Sequence, residues 1–259
     1  MVVTLLTDFG LQDEYVGVMK GAILSIQPSA VIVDLCHQIP PGDVERAAWL
    51  LGWSWRYFPP DTVHVAVVDP GVGSDRKILC VSHRKQLFLA PDNGLLSRVL
   101  AGSRRLHAVW VKNPRFFLKP LSQTFHGRDI FAPVAARLCA GLDTSELGPR
   151  VRMIRLLPAS RPDRRKGGYL GQILQFDRFG NAVTNLPWVA NVQGRWGIQV
   201  GGRRIAEIRS SYSAVPEGTP LAVVGSRGLL EIAVNCGSAE KDLGLKIGDR
   251  VEVVQRRAA

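Results

Sequence analysis

Residues of the types that bind substrates and move protons follow several hydrophobic segments of this chain. Three strand-like segments are followed by Asp8, by Asp69 and by the pair Asp92-Asn93, and a fourth loop adds His126, Arg128 and Asp129. Each position alone is weak evidence, because an Asp after a strand is usually a turn former. Since ligands of open parallel sheets bind beyond the carboxyl ends of the strands, the four loops could together line one crevice.

The segment from Val63 to Arg76 is the most informative of these. Its β-branched residues predict a buried strand, and Asp69-Pro70-Gly71 ends that strand because proline lacks a backbone donor. Gly71 and Gly73 leave the backbone bare, which allows close approach by a ligand. A tight turn with a capping Asp explains the same residues equally well, so this segment alone does not decide between a turn and a site.

A metal site is one chemistry that the candidate residues allow. Hard oxygen ligands need no short spacing, so Asp8, Asp69, Asp92 and His126 could hold a divalent ion, as in a metal-dependent phosphohydrolase. Other familiar patterns are missing from the sequence. There is no GxGxxG after the first strand, no Walker A pattern and no GxSxG elbow, which disfavours a dinucleotide site, a phosphate loop and a nucleophilic serine.

A second cluster of polar and aromatic residues lies in the last third of the chain. Between Phe176 and Asn185, two aromatic residues are interleaved with Asp177 and Asn181. This combination suits stacking on a planar ring together with hydrogen bonds to its edge. The spacing alone favours a simple hairpin with Gly180-Asn181 in its turn. Nearer the end, Ser226-Arg227-Gly228 and Asn235 interrupt apolar runs in a similar way.

The order of the predicted elements indicates two domains. Strands alternate with helices in the first half, including a predicted helix from Tyr15 to Ile26 and one that Asp43 caps. That alternation predicts an α/β domain with a doubly wound, mainly parallel sheet. From Tyr169 onward short strands follow one another, which predicts a smaller all-β, barrel-like domain. The expected division is an N-terminal domain at 1–157, a linker at 158–167 and a C-terminal domain at 168–259.

Composition limits the class of protein. A hydrophobic fraction of 46% and a mean hydropathy of +0.06 are typical of a soluble globular protein. The net charge of +11 raises nucleic-acid binding as an alternative, but much of the excess lies between Arg150 and Lys166, a proline-containing stretch typical of a solvated linker. The N-terminal residues show no basic leader, so a cytoplasmic location is expected. The four cysteines are far apart and are expected to be buried free thiols.

Five longer segments occur in order and together are specific. They are TDFGxxDxYVGxMKG at Thr7 to Gly21, DPGVG at Asp69 to Gly73, APDNGLL at Ala90 to Leu96, FHGRDIFAP at Phe125 to Pro133 and DRFGNAVTN at Asp177 to Asn185. This set resembles the S-adenosyl-L-methionine (SAM) hydroxide adenosyltransferase family, relatives of the fluorinating and chlorinating enzymes that act on the same substrate. The resemblance covers nearly the whole chain.

The resemblance implies an enzyme in which water or hydroxide attacks C5′ of the ribose of SAM, giving adenosine and L-methionine. The implied catalytic residues are Asp69, Arg76 and His126. The implied substrate-binding residues are Asp8, which would hold the ribose hydroxyls, and Phe9, Asp177, Phe179, Asn181, Ser226 and Arg227. Arg227 stands where a smaller or aromatic residue is expected in many water-using members.

The resemblance also implies no metal, no cofactor beside the substrate, and no nucleic-acid or membrane partner. It implies a homotrimer in which the substrate lies between the N-terminal domain of one subunit and the C-terminal domain of the next. Because a sulfonium departs as a neutral thioether, the reaction needs a positioned and partly desolvated oxygen nucleophile but no general acid. A SAM-dependent chloride adenosyltransferase, a metal-dependent phosphohydrolase and a nucleic-acid-binding protein remain as alternatives.

Overall fold

The protein is a mixed α/β protein with two β-sheets. The computed structural model describes residues 1–103, 105–188, 196–205 and 208–255. The chain divides into two compact units, Met1–Leu157 and Pro158–Ala259. No helix in these described ranges is both long and apolar enough to span a membrane.

The first unit contains a sheet with helices on both of its faces. Its strands are β1 (Val2–Thr7), β2 (Val31–Cys36), β3 (Val63–Val67), β4 (Ile78–His83), β5 (Gln86–Pro91), β6 (His107–Trp110) and β7 (Arg150–Val151). Its α-helices are α1 (Tyr15–Ile26), α2 (Val44–Ser54) and α3 (Ala132–Cys139). Short 3₁₀-helices lie at Trp55–Tyr57, Leu95–Ser97, Pro114–Phe116 and Thr144–Leu147, and a π-helical turn lies at Gly127–Phe131.

Two helix predictions are confirmed. Helix α1 spans the residues that the apolar stripe predicts, Tyr15–Ile26. Asp43 caps α2 as expected, since its side chain accepts a hydrogen bond from the Arg46 N–H at 2.9 Å.

The strand order of the first sheet is β2-β1-β3-β5-β4-β6-β7. The pairs among β2, β1, β3 and β5 are parallel, whereas the pairs that involve β4, β6 and β7 are antiparallel. The expected mainly parallel sheet is therefore found in one half only. The reason is the two-residue turn at Arg84-Lys85, where both residues have positive φ (47° and 62°). Such a tight turn can join only antiparallel neighbours.

Alternate residues of the central strands pack on opposite faces of this sheet. Val3, Leu5, Val63 and Val65 share one hydrophobic cluster with α1 and α3. Leu6 and its neighbours on the other face pack with α2 in a second cluster. Because both faces are covered, a ligand can reach this sheet only at the ends of its strands. Asp8 and Asp69 follow the carboxyl ends of β1 and β3.

The second unit is built mainly from strands. They are β8 (Asp163–Arg165), β9 (Gly168–Phe176), β10 (Ala182–Pro187), β11 (Trp196–Val200), β12 (Arg203–Ile205), β13 (Ile208–Arg209), β14 (Pro220–Val224), β15 (Leu229–Val234) and β16 (Arg250–Gln255), with a 3₁₀-helix at Tyr212–Ala214 and a short helix α4 (Ala239–Asp242). The strand order is β12-β11-β16-β9-β10-β15-β14-β13, and β8 pairs with β9. Within the described residues of this second unit, only the β13–β14 pair is parallel. One strand predicted at 203–208 includes residues 206–207, which lie outside the described residues.

Two expectations need correction. The predicted linker at 158–167 contains β8, because Lys166-Gly167 forms a tight turn that folds β8 back onto β9. Of the four cysteines, all of them free thiols, Cys80 and Cys139 are buried as expected, but Cys36 is only partly buried and Cys236 is exposed. Burial raises the pKa of Cys80 to about 12, so this thiol is not reactive.

Candidate active site

Asp69 and Arg76 form a buried ion pair at the carboxyl end of β3. Arg76 Nε donates to Asp69 Oδ2 at 2.6 Å, and Arg76 Nη2 lies 2.5 Å from the same oxygen. The two side chains are only 5% and 12% exposed, so water screens their interaction little. The loop between them contains Gly73, where an added Cβ would lie 2.7 Å from the Gln123 carbonyl oxygen. This second glycine of DPGVG therefore allows two loops to pack closely.

His126 completes a trio with this pair. Its Nδ1 lies 2.7 Å from Arg76 Nη2. A guanidinium can only donate, so Nδ1 must accept and the ring is neutral with its proton on Nε2. Burial lowers the pKa of His126 and the Arg76 charge lowers it further, although Asp69 and Asp129 act in the opposite direction. The neutral form is thus the stable one near pH 7, and Nε2–H remains as a donor.

The second oxygen of Asp69 is the most unusual atom of the trio. Oδ1 is buried and accepts no hydrogen bond from any described residue. Buried polar atoms are nearly always paired, because an unpaired one costs about 1–3 kcal/mol. A donor supplied by a bound molecule would remove that cost.

The loop that carries His126 is shaped by Asp129. This carboxylate accepts from the Ser122 N–H at 2.7 Å and from Arg128 Nε at 2.6 Å. Burial would raise the pKa of Asp129, but the hydrogen bonds from Arg128 and Ser122 outweigh it and hold that pKa below its ordinary value. Arg128 and Asp129, predicted to line the crevice, bind each other, and Asp129 also holds the backbone at Ser122. The π-helical turn that begins at Gly127 then leads into α3.

Asp8 lies at the carboxyl end of β1. Its Oδ2 accepts from the Gly42 N–H at 2.8 Å. An added Cβ on Gly42 would lie 3.7 Å from Pro70 Cβ, which shows that the Asp8 and Asp69 loops adjoin. Phe9 packs edge-on against Phe125, with ring centroids 6.0 Å apart. Asp8, Asp69 and His126, which were expected to line the crevice, thus lie at one edge of the sheet, together with Phe9 and Arg76, which the resemblance implies.

Asp92 and Asn93 do not behave as predicted. Asp92 Oδ1 accepts from the Arg155 N–H at 2.7 Å, and Asn93 Nδ2 donates to the Val68 carbonyl at 2.8 Å. Both side chains are used to hold loops together. Among the described residues, no three His, Cys, Asp or Glu side chains are placed to hold a metal ion. The four-ligand metal hypothesis therefore has no supporting geometry.

The second unit has a cavity of about 770 Å³. Every C-terminal residue predicted to bind substrate lines it: Asp177, Phe179, Asn181, Ser226 and Arg227. The turn that the spacing favoured is also present, since Asp177 Oδ1 accepts from the N–H groups of Phe179 and Asn181 at 2.9 Å. Phe179 is 76% exposed, so its ring is available to a ligand. One loop serves both as a turn and as a cavity wall.

Tyr212 and Glu231 are among the residues of this cavity that sequence reasoning missed. Tyr212 Oη donates to Glu231 Oε2 at 3.1 Å, and Arg227 Nη1 lies 3.6 Å from Glu231 Oε1. Burial raises the pKa of Glu231, although the Tyr212 hydrogen bond and the Arg227 charge oppose it. Burial and the Glu231 charge raise the pKa of Tyr212 to about 12. A lone charge inside the apolar run LLEIAV was the available signal for Glu231.

Comparison with known proteins identifies the family of this chain. Residues 3–148 match the model of the SAM hydroxide adenosyltransferase N-terminal domain, and residues 171–252 match that of the C-terminal domain. The chain belongs to the SAM hydroxide adenosyltransferase family, as the sequence motifs predict.

Relatives at two levels of similarity carry different names. A protein of Thermus thermophilus named (R)-S-adenosyl-L-methionine hydrolase is 44% identical, over 96% of this chain and 98% of its own length. A fluorinase of Nocardia brasiliensis is more distant, at 27% identity over 97% of this chain and 96% of its own. A solved structure of an uncharacterized conserved protein from Thermotoga maritima superimposes with a TM-score of 0.91, at 37% identity over 98% of this chain and 100% of that one.

Proposed function

We propose that this protein hydrolyses SAM by attack of water or hydroxide at C5′ of the ribose, giving adenosine and L-methionine. The observation that carries the proposal is the Asp69–Arg76–His126 trio with its buried, unpaired Asp69 Oδ1. Family membership and the hydrolase name of the Thermus relative support the choice of substrate.

The trio can orient and activate one water molecule. Asp69 Oδ1 accepts a hydrogen bond from that water, while Arg76 fixes the carboxylate through Oδ2. His126 Nε2–H donates to the water oxygen and so directs its lone pair. The oxygen then bonds to C5′, the C5′–S bond breaks, and its electron pair neutralises the sulfonium. The released proton passes to Asp69 and then to solvent; assistance of this kind contributes about 10²–10⁴-fold.

The remaining contacts are divided between the two units. Asp8 holds the ribose hydroxyls, and Phe9 forms part of the same wall. Asp177, Phe179, Asn181, Ser226 and Arg227 bind the adenine and methionine portions. Several expectations stay part of this proposal: no metal, no cofactor, no nucleic-acid partner, a cytoplasmic location, and a homotrimer with shared sites.

The finer description of the fold is also a proposal. It assigns a doubly wound α/β domain to 1–157 and a smaller barrel-like domain to 168–259. Helices on both faces of the first sheet support the former. The nearly continuous antiparallel pairing of the second sheet supports the latter.

One assay tests the activity. Purified protein is incubated with SAM in ¹⁸O-labelled water, with chelator present and with chloride in excess. We expect adenosine labelled at its 5′-hydroxyl, together with methionine. A buried carboxylate next to the nucleophile opposes any anion electrostatically, so halide should not compete. Dominant 5′-chloroadenosine would contradict the proposal in favour of a chloride adenosyltransferase, and phosphate release that depends on a divalent ion would favour a phosphohydrolase.

A further inference from the structure

A chain of polar contacts runs from α1 to the loop that carries Asp8. Lys20 Nζ donates to Asp34 Oδ2 at 2.6 Å, and Asp34 Oδ1 lies 3.1 Å from His37 Nε2. His37 Nδ1 lies 2.8 Å from Thr7 Oγ1, which accepts from the Phe9 N–H at 3.2 Å. We name this set, Lys20, Asp34, His37, Thr7 and the Phe9 N–H, the Asp8-loop relay.

The relay is consistent with one protonation state of its histidine. The Asp34 carboxylate faces Nε2, so the ring proton is assigned to Nε2. Nδ1 then accepts from the Thr7 hydroxyl, whose oxygen in turn accepts from the Phe9 N–H. The contact between Asp34 and Nε2 is short but not well aligned for a hydrogen bond, so it is mainly electrostatic. Burial would raise the pKa of Asp34, but the Lys20 hydrogen bond and the nearby His37 ring outweigh it and hold that pKa below its ordinary value, which keeps the carboxylate charged.

The relay makes hydrogen bonds to the residues on both sides of Asp8. Thr7 and His37 are buried, at 0% and 4% exposure. Through Thr7, His37 orients the backbone at Phe9, and its own carbonyl accepts from the Gly10 N–H at 2.7 Å. The Asp8 side chain has just one fixed partner in the described part of the chain, the Gly42 N–H. Its direction therefore depends largely on the backbone that His37 holds.

We propose that His37, acting through Thr7, is a positioning residue that aims the Asp8 carboxylate at the ribose diol of the substrate. This inference rests on the proposed function for the role of Asp8. It assigns His37 and Thr7 no contact with the substrate. Their effect should appear in recognition of the sugar and in KM, more than in kcat.

The chain offers a matched control on the same strand. Thr4 is also fully buried in β1, and its Oγ1 lies 2.7 Å from Nδ1 of another buried histidine, His64. The other ring nitrogen of His64 lies 3.2 Å from Gln86 Oε1, away from the Asp8 loop. Thr4→Val and Thr7→Val thus each remove a hydroxyl from a Thr–His pair, but only the second removes a contact with the relay.

The test compares turnover of SAM with turnover of its 2′-deoxyribose analogue. Wild type should prefer SAM, and Asp8→Asn should abolish that preference. Thr7→Val should raise KM for SAM about five- to tenfold, as expected from loss of a hydrogen bond, and should reduce the preference by a similar factor. Thr4→Val should leave KM for SAM and the preference for SAM unchanged, even if the melting temperature of this variant falls. Thr7→Ser, which keeps the hydroxyl, should behave as wild type.

The outcomes separate the relay from the proposed function. If wild type makes no adenosine, or if Asp8→Asn retains the preference for the ribose diol, the proposed function or the role of Asp8 is wrong. If Asp8→Asn loses the preference while Thr7→Val keeps it, the relay proposal is overturned. Should Thr7→Val not fold, His37→Phe carries the same expectation, because phenylalanine has no acceptor for the Thr7 hydroxyl.

Discussion

Asp69 uses its two carboxylate oxygens differently, and that asymmetry defines the candidate site at the residue scale. Asp69 Oδ2 contacts both Nε and Nη2 of Arg76, whereas Oδ1 is buried without a hydrogen-bond partner among the described residues. The residue types Asp, Arg and His were readable from the sequence. Their tautomer and hydrogen-bond directions were not, because these depend on which atoms meet in the folded chain.

Asp69→Asn tests the role of the free oxygen. The amide keeps the shape of the side chain but loses the charge that accepts the proton, so kcat should fall about 10²–10⁴-fold. Calorimetry should show SAM binding within a few-fold of wild type. Asp92→Asn is the matched control, since Asp92 follows a neighbouring strand but is used for the Arg155 N–H. Undiminished turnover by Asp69→Asn would show that this carboxylate does not activate water.

The pH dependence of the reaction should report on His126. Protonation would place a hydrogen on Nδ1, which faces the Arg76 donor at 2.7 Å, and would break up the trio. Because the pKa of His126 lies below its usual 6.5, kcat/KM should stay level through neutral pH and fall only at lower values. His126→Gln should remove this acid limb, whereas His107→Gln, at an exposed position, should keep it. An acid limb unchanged in His126→Gln would assign the titration to another group.

At the scale of elements, segments with a clear apolar pattern could be predicted from the sequence, whereas the turns that join them could not. Helix α1 could be predicted from its sequence because one apolar stripe faces the sheet. The hairpin of β4 and β5 was also predictable, as two short strand segments at 78–82 and 86–89, although its turn residues, Arg84-Lys85, are non-glycine residues at positive φ that give almost no turn signal. Strand β8 was not predictable, since its composition is that of a linker.

His64 of β3, which contacts β1 and β5, should make the free energy of unfolding fall in acid. His64 is buried, and burial lowers its pKa from 6.5 to about 4. The unfolded chain therefore binds an extra proton between these values, so the free energy of unfolding should fall as pH drops from 6.5 to 4. The loss approaches about 3 kcal/mol and is constant below both pKa values. Urea unfolding should show a shallower pH dependence in His64→Gln than in wild type or His107→Gln. Equal slopes in all three would contradict this.

At the scale of the whole molecule, the proposed substrate contacts belong to two compact units of the chain. Asp69, Arg76, His126 and Asp8 lie in Met1–Leu157, whereas the C-terminal cavity belongs to Pro158–Ala259. The sequence identified residues of both groups through separate motifs. Only the family resemblance implies which copies of the chain supply them, because side-chain patterns specify faces and not partners.

The proposed trimer makes a quantitative prediction for mixed subunits. Light scattering should give three times the 28.4 kDa chain mass. Asp8→Asn and Asn181→Ala, each nearly inactive alone, are unfolded together and refolded as an equal mixture. If every site takes its first unit from one subunit and its second from the next, about a quarter of the sites contain no substitution, because each half is intact with a chance of about one half. Activity should therefore recover to about a quarter of wild type. The matched control mixes Asp8→Asn with Asp69→Asn, which both damage the first unit and should restore nothing. A fully active monomer, or no recovery in a trimer that has demonstrably mixed, would rule out shared sites.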